Sequence, residues 1–201
     1  MKKIRIFLLV AAVACLTAGC SRPQKFTVQG TLKDIKFPKA DSVRMESSLL
    51  AKPVIVPVND RAFALRGKVK EPTIGKIFAV GTKRRNAHFL ILEKGAITFQ
   101  DGLACGTPLN DSTFAFTHRL RELNKKYPAP VDREVKQKAI EMEFTDFVAR
   151  HKDDPCATYA ILLGHKRLSP DALLRLIRTA STKIQNDDDV HALKKNLSMG
   201  K

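Results

Sequence analysis

At Gly106-Thr107-Pro108 the hydrophobic rhythm of the chain changes, so two kinds of secondary structure must share one fold. Before that point the apolar residues fall in short runs rich in Val, Ile and Phe, broken by Gly, Pro, Asn and Asp. Such runs read as strands over residues 26–32, 42–45, 54–58, 63–69, 74–80, 88–93 and 96–99. The last two are joined by a tight turn at Lys94-Gly95, and Asn59 to Ala62 reads as a hairpin connection that lacks glycine. Beyond Pro108 the spacing becomes helical. Phe116, Leu120, Leu123 and Tyr127 share one face of a helix capped by Asn110 or Asp111 and stopped by Pro128. Ile140, Phe144, Phe147 and Val148 mark a second helix over about residues 132–151. Asp154-Pro155 opens a third that Gly164 closes, Ser169-Pro170 opens a fourth, and Asp187 to Asp189 put negative charge at the start of a fifth. The expected fold is α+β: an antiparallel β-sandwich or partial barrel of about seven strands over residues 26–108, then a helical region over 109–201. The β part has enough strands to fold alone, whereas the helices need a surface to pack on.

The first 19 residues stand apart from this fold. Lys2, Lys3 and Arg5 precede an unbroken apolar run of eleven residues, Ile6 to Leu16, too short to cross a hydrocarbon core that needs about 20 residues. The run therefore reads as a secretory signal. The Leu16-Thr17-Ala18-Gly19-Cys20 stretch resembles the bacterial lipobox, in which cleavage exposes a cysteine that is then acylated; Thr17 stands where Leu, Ile or Val is commonest. Residues 20–25 form a polar tether behind it. Acyl chains on Cys20 would hold the protein to a membrane far more strongly than one myristoyl chain does. Ser21 rather than Asp follows the cysteine, which implies the periplasmic face of the outer membrane. Export also excludes DNA and RNA as partners.

Lipidation simplifies the cysteine arithmetic. Cys15 leaves with the signal, and Cys105 and Cys156 remain, 51 residues apart with no C-x-x-C. A zinc ribbon or a thioredoxin-type redox pair cannot be built from them. They form either one disulfide in an oxidising periplasm or two buried thiols.

The stretches FTVQGTL from Phe26, FALRGKVKEP from Phe63, FLILEKGAITF from Phe89 and GTPLND from Gly106 resemble the domain of unknown function 4369. That is the β-rich domain ahead of the thioredoxin fold in lipid-anchored thiol-disulfide oxidoreductases of the TlpA/ResA type, relatives of the AhpC/TSA peroxidases. The resemblance covers about residues 26–111, and the helices behind them resemble the linker of the same proteins. It implies a thioredoxin-like domain as partner. In those relatives a fold of about 100 residues carrying C-x-x-C follows the helices, whereas this chain ends at Lys201. No redox residue of the family has a counterpart here.

Other constellations carry little chemistry. The five histidines, His88, His118, His151, His165 and His191, show no H-x-x-x-H or H-E-x-x-H spacing. Asp187, Asp188, Asp189 and His191 can be drawn as a metal cluster, but an aspartate run opening a helix is more often a cap. Glu93, before the Lys94-Gly95 turn, reads as a turn residue. There is no phosphate loop, nucleophile elbow or dinucleotide fingerprint. The formal charge of +16 falls to +13 without Lys2, Lys3 and Arg5, and its densest cluster, Lys83-Arg84-Arg85, is suited to an anionic surface. No cofactor and no metal are expected. The leading expectation is a non-enzymatic, lipid-anchored envelope protein with a β-rich interaction domain, the alternative being the front part of a split or truncated thioredoxin-like oxidoreductase.

Overall fold

The structure, a computed structural model, describes residues 23–37, 40–80, 87–127 and 133–199. Eight strands occupy the first half: β1 (Gln24–Thr31), β2 (Ser42–Glu46), β3 (Val54–Pro57), β4 (Ala62–Val69), β5 (Thr73–Ala79), β6 (His88–Leu92), β7 (Gly95–Gln100) and β8 (Leu103–Cys105). Six helices follow: α1 (Pro108–Lys126), α2 (Arg133–Arg150), α3 (Pro155–Gly164), α4 (Pro170–Thr179), α5 (Thr182–Gln185) and α6 (Asp188–Met199). The expected α+β class is what the chain adopts.

The strands make two four-stranded sheets, ordered β4-β1-β7-β8 and β3-β2-β5-β6. Pairing is antiparallel except between β1 and β7, which run parallel with Phe26 beside Gly95 and Val28 beside Ile97. The expectation of a wholly antiparallel sandwich is corrected there. Only strands joined by a short turn are forced to be antiparallel, and five strands intervene between these two. The hairpin connection expected at Asn59 to Ala62 and the tight turn expected at Lys94-Gly95 both carry the chain between sheets. Asp60 and Arg61 both have positive φ, 50° and 65°, and Asn59 and Ala62 exchange backbone hydrogen bonds of 2.9 and 2.8 Å. The strands then part, β3 to β2 and β4 to β1. Likewise β6 pairs with β5 and β7 with β1, so Glu93-Lys94 is a corner.

Strand β8 was not among the seven expected. It pairs back on β7 across Asp101 and Gly102, whose φ values of 53° and 80° are those of a type I′ turn. Gly102 suits that left-handed position because it has no Cβ.

Period-two alternation fills the sandwich. Val28, Leu65 and Ile97 from the first sheet meet Val43, Met45, Ile77 and Leu90 from the second, all fully buried. The Phe26 ring lies across Gly67, where any Cβ would fall inside it. The opposite face of β5 and β6 is also covered, since Ile74 and Ile91 belong to the helical core. The second sheet is thus a middle layer, with the first sheet on one side and helices on the other.

The helical layer is organised by aromatic rings. Phe116 of α1 stacks on Phe147 of α2 with centroids 4.1 Å apart, and meets Phe144 edge-on at 5.1 Å. The apolar faces that needed a partner therefore find it in one another and in the sheet. Two ion pairs cross the same seam, Lys76 with Asp189 and Lys183 with Glu71 at 2.6 Å.

Local signals set the helix starts. Asp154 accepts from the Cys156 N–H at 2.8 Å with Pro155 in the first turn, and Ser169 Oγ accepts from the Ala172 N–H at 3.3 Å. The expected fifth helix is α6, displaced to sixth place by the short α5. Helix α1 begins earlier than expected, with Thr107 at the cap position and Asn110 buried inside the first turn.

Candidate functional site

The most connected polar group lies where α1 leaves the sandwich. Glu93, 7% exposed, follows β6, and its Oε1 accepts from Thr107 Oγ1 at 2.6 Å, the Leu109 N–H at 2.8 Å and the Asn110 N–H at 3.2 Å. Thr107 makes no side-chain cap of its own. The carboxylate thus caps a helix that starts 15 residues later in sequence, at the end where the helix dipole favours negative charge. Asn110 completes the joint: its Oδ1 accepts from the Ile91 N–H at 2.9 Å and its Nδ2 donates to the Ile91 carbonyl at 2.7 Å. It thereby takes the place of a neighbouring strand along the edge of β6. The turn reading of Glu93 is corrected: it is the fixed point between sheet and helix. Every strong bond of this network is internal, which makes it structural.

A second cluster was not singled out in the sequence. A ring nitrogen of His151, an Asp154 carboxylate oxygen and Cys156 Sγ lie within 4.8 Å of one another around the start of α3. Asp154 Oδ2 lies 2.8 Å from His151 Nδ1, while its Oδ1 holds the Cys156 N–H. The fully buried Cys156 thiol donates to the Leu109 carbonyl at 3.5 Å. A helix N-terminus ordinarily acidifies a cysteine, but here burial pushes the thiol well above its usual range, and the nearby Asp154 carboxylate adds to the effect. That thiol stays protonated and out of reach of a substrate. Both Asp154 oxygens are already engaged, so a metal would have to displace the cap that starts α3. H-x-x-D-x-C spacing across a helix junction is the only sequence signal for this group.

Cys105 ends β8, part-buried, with its Sγ 3.4 Å from Thr98 Oγ1. Both thiols are free in this structure. Asp187 caps α6 by accepting from the Asp189 and Val190 N–H groups at 3.1 and 3.4 Å, and Asp189 pairs with Lys76. Burial raises the Asp187 carboxyl above its ordinary value, with the neighbouring aspartates adding repulsion. His191 is exposed. Burial likewise lowers His88, against two backbone hydrogen bonds that favour its protonated form, one of them to the Gly102 carbonyl, with Lys36 adding repulsion. Cys20, Lys83, Arg84 and Arg85 lie outside the described residues.

A polar cleft of about 180 Å³ opens on the seam between the sheet and α3, α5 and α6. Thr158, one of its lining residues, is 1% exposed and its Oγ1 has no protein partner. The volume is below the roughly 300–1,000 Å³ of sites that enclose a small molecule, and it suits a few waters. Two larger depressions, of about 580 and 610 Å³, are shallow and open.

No family model matches the chain, and neither a curated protein nor a solved structure is found to match it.

Proposed function

We propose that this chain is a non-enzymatic lipoprotein of the bacterial cell envelope, anchored through acyl chains on Cys20 and displaying a β-sandwich braced by helices as an interaction module. One observation carries the reading. The lipobox-like run ends at Cys20 and β1 begins at Gln24, so the folded part follows the acylated residue almost at once. A signal and small-residue pair directly before a cysteine and a domain is the arrangement an anchored module needs.

The environments of the reactive side chains support a binding role over catalysis. The Cys156 thiol is buried and hydrogen-bonded, Glu93 is spent on the α1 cap, and Asp154 on the α3 cap. The helical apolar faces are buried within the chain, which favours a self-sufficient module over the front part of a split oxidoreductase. The two-sheet β part supports the resemblance to the domain of unknown function 4369, and a thioredoxin-like domain of another chain is a partner of the right class. The outer membrane, periplasmic side, is the destination that Ser21 favours.

Phase partition with a cloud-point detergent tests the anchor, and insulin reduction tests the chemistry. The wild type should enter the detergent phase and show no more turnover than a Cys105→Ser, Cys156→Ser variant. Turnover above that variant would make the chain an oxidoreductase.

A further inference from the structure

We propose that the outer face of the first sheet, at the end where β1 begins, docks onto anionic phospholipid headgroups through Lys25, Arg66, Lys68, Lys70 and Lys94. The strand register brings these residues together from three separate stretches of sequence. Lys25 of β1 lies directly across from Lys68 of β4, and Thr27 across from Arg66. Phe26, Val28, Leu65 and Val69 point into the sandwich, so the alternating Lys25, Arg66 and Lys68 point out. Lys70 follows Val69, and Lys94 immediately precedes Gly95, which sits beside Phe26 on the other flank of β1. All five are exposed, and none forms an ion pair with another described residue.

Like charges directly opposite each other on neighbouring strands are destabilising, and Lys25 with Lys68 is such a pair. The carboxylates adjoining these cations in sequence are turned elsewhere, Glu71 to Lys183 and Glu93 to the start of α1. The unbalanced charge is therefore left for an external anion. The opposite end of the same sheet is mixed, with Asp34, Asp60 and Asp101 among Lys33, Lys36 and Arg61.

Chain geometry selects a lipid surface as that anion. Gln24 is four residues after Cys20, a span of at most about 14 Å even when fully extended. A sheet tethered so closely by its first strand presents that strand's starting end to the bilayer, within reach of a surface potential that decays over a Debye length. The orientation rests on the Cys20 anchor proposed above; the charged face itself does not.

The test uses the chain from residue 20 onward carrying Cys20→Ser, which keeps every described residue and carries no lipid. Sedimentation with vesicles of phosphatidylglycerol in phosphatidylcholine should bring the protein down at low salt, and phosphatidylcholine alone should not. Each Lys or Arg at an anionic surface contributes about five-fold, so Lys25→Gln, Arg66→Gln, Lys68→Gln should weaken binding on the order of a hundredfold. Lys33→Gln, Lys36→Gln, Arg61→Gln removes the same charge from the other end and should cost far less. Equal losses in the two triple variants would reduce the effect to net charge and overturn the proposal, as would no binding by the parent chain or an unaffected patch variant. Because this protein is unlipidated, vesicle binding and palmitate labelling of Cys20 fail independently, and either reading can fall without the other.

Discussion

Glu93 accepts from the first turn of α1 and is almost wholly buried, so its loss leaves several donors without an acceptor. Glu93→Ala should cost roughly 2–4 kcal/mol of stability, and Glu93→Gln, which keeps the shape but not the charge, roughly half of that. Urea unfolding measures both; a change under about 0.5 kcal/mol for the alanine variant would mean that water serves the helix end equally well. His88 gives a second residue-level expectation. Its folded pKa lies below the unfolded value near 6.5, so the unfolded chain takes up the proton first as pH falls. The stability tied to the neutral ring is complete above about pH 6.5 and is lost below it. Unfolding curves at about pH 8 and about pH 5.5 should differ less for His88→Gln than for the wild type. An identical acid loss in both would assign that loss to other groups.

Elements differ in how far the sequence reveals them, and the reason is the range of the interactions that define them. The starts of α3 and α4 were legible because Asp154 and Ser169 cap from within two or three residues. The start of α1 was not, because its cap comes from Glu93, across the β7-β8 hairpin. Strand β8 had a readable signal in Asp101-Gly102, the strongest kind of two-residue hairpin turn, but its three residues are too few to show a period. Sheet membership was not readable. Short turns at Asn59 to Ala62 and at Glu93-Lys94 look local, yet they connect different sheets, because β4 and β7, the strands that follow them, both pair with β1, far back in the sequence. The paired faces of α1 and α2 were legible through their spacing. Phe116, which contacts both Phe144 and Phe147, should be the costliest single position in that layer, with Phe116→Ala losing about 3–5 kcal/mol in urea unfolding. A loss under about 1 kcal/mol would mean that the layer repacks around the gap.

At the scale of the whole molecule, the division near residue 108 marks a change of secondary structure, while the packing runs across it. Ile74 and Ile91 are buried under the helices, Asn110 occupies the edge of β6, and Lys76 and Lys183 pair across the seam. A fragment ending at residue 108 should therefore expose an apolar sheet face, bind a hydrophobic dye and melt lower than the whole chain. A fragment melting at the same temperature as the whole chain would restore the independence that strand count alone suggested. The central claim concerns where this braced sandwich is held. Cells grown with labelled palmitate test it most directly: the wild type should carry the label into the membrane fraction, and Cys20→Ser should carry none. Equal labelling of the two, or none in either, would contradict the account.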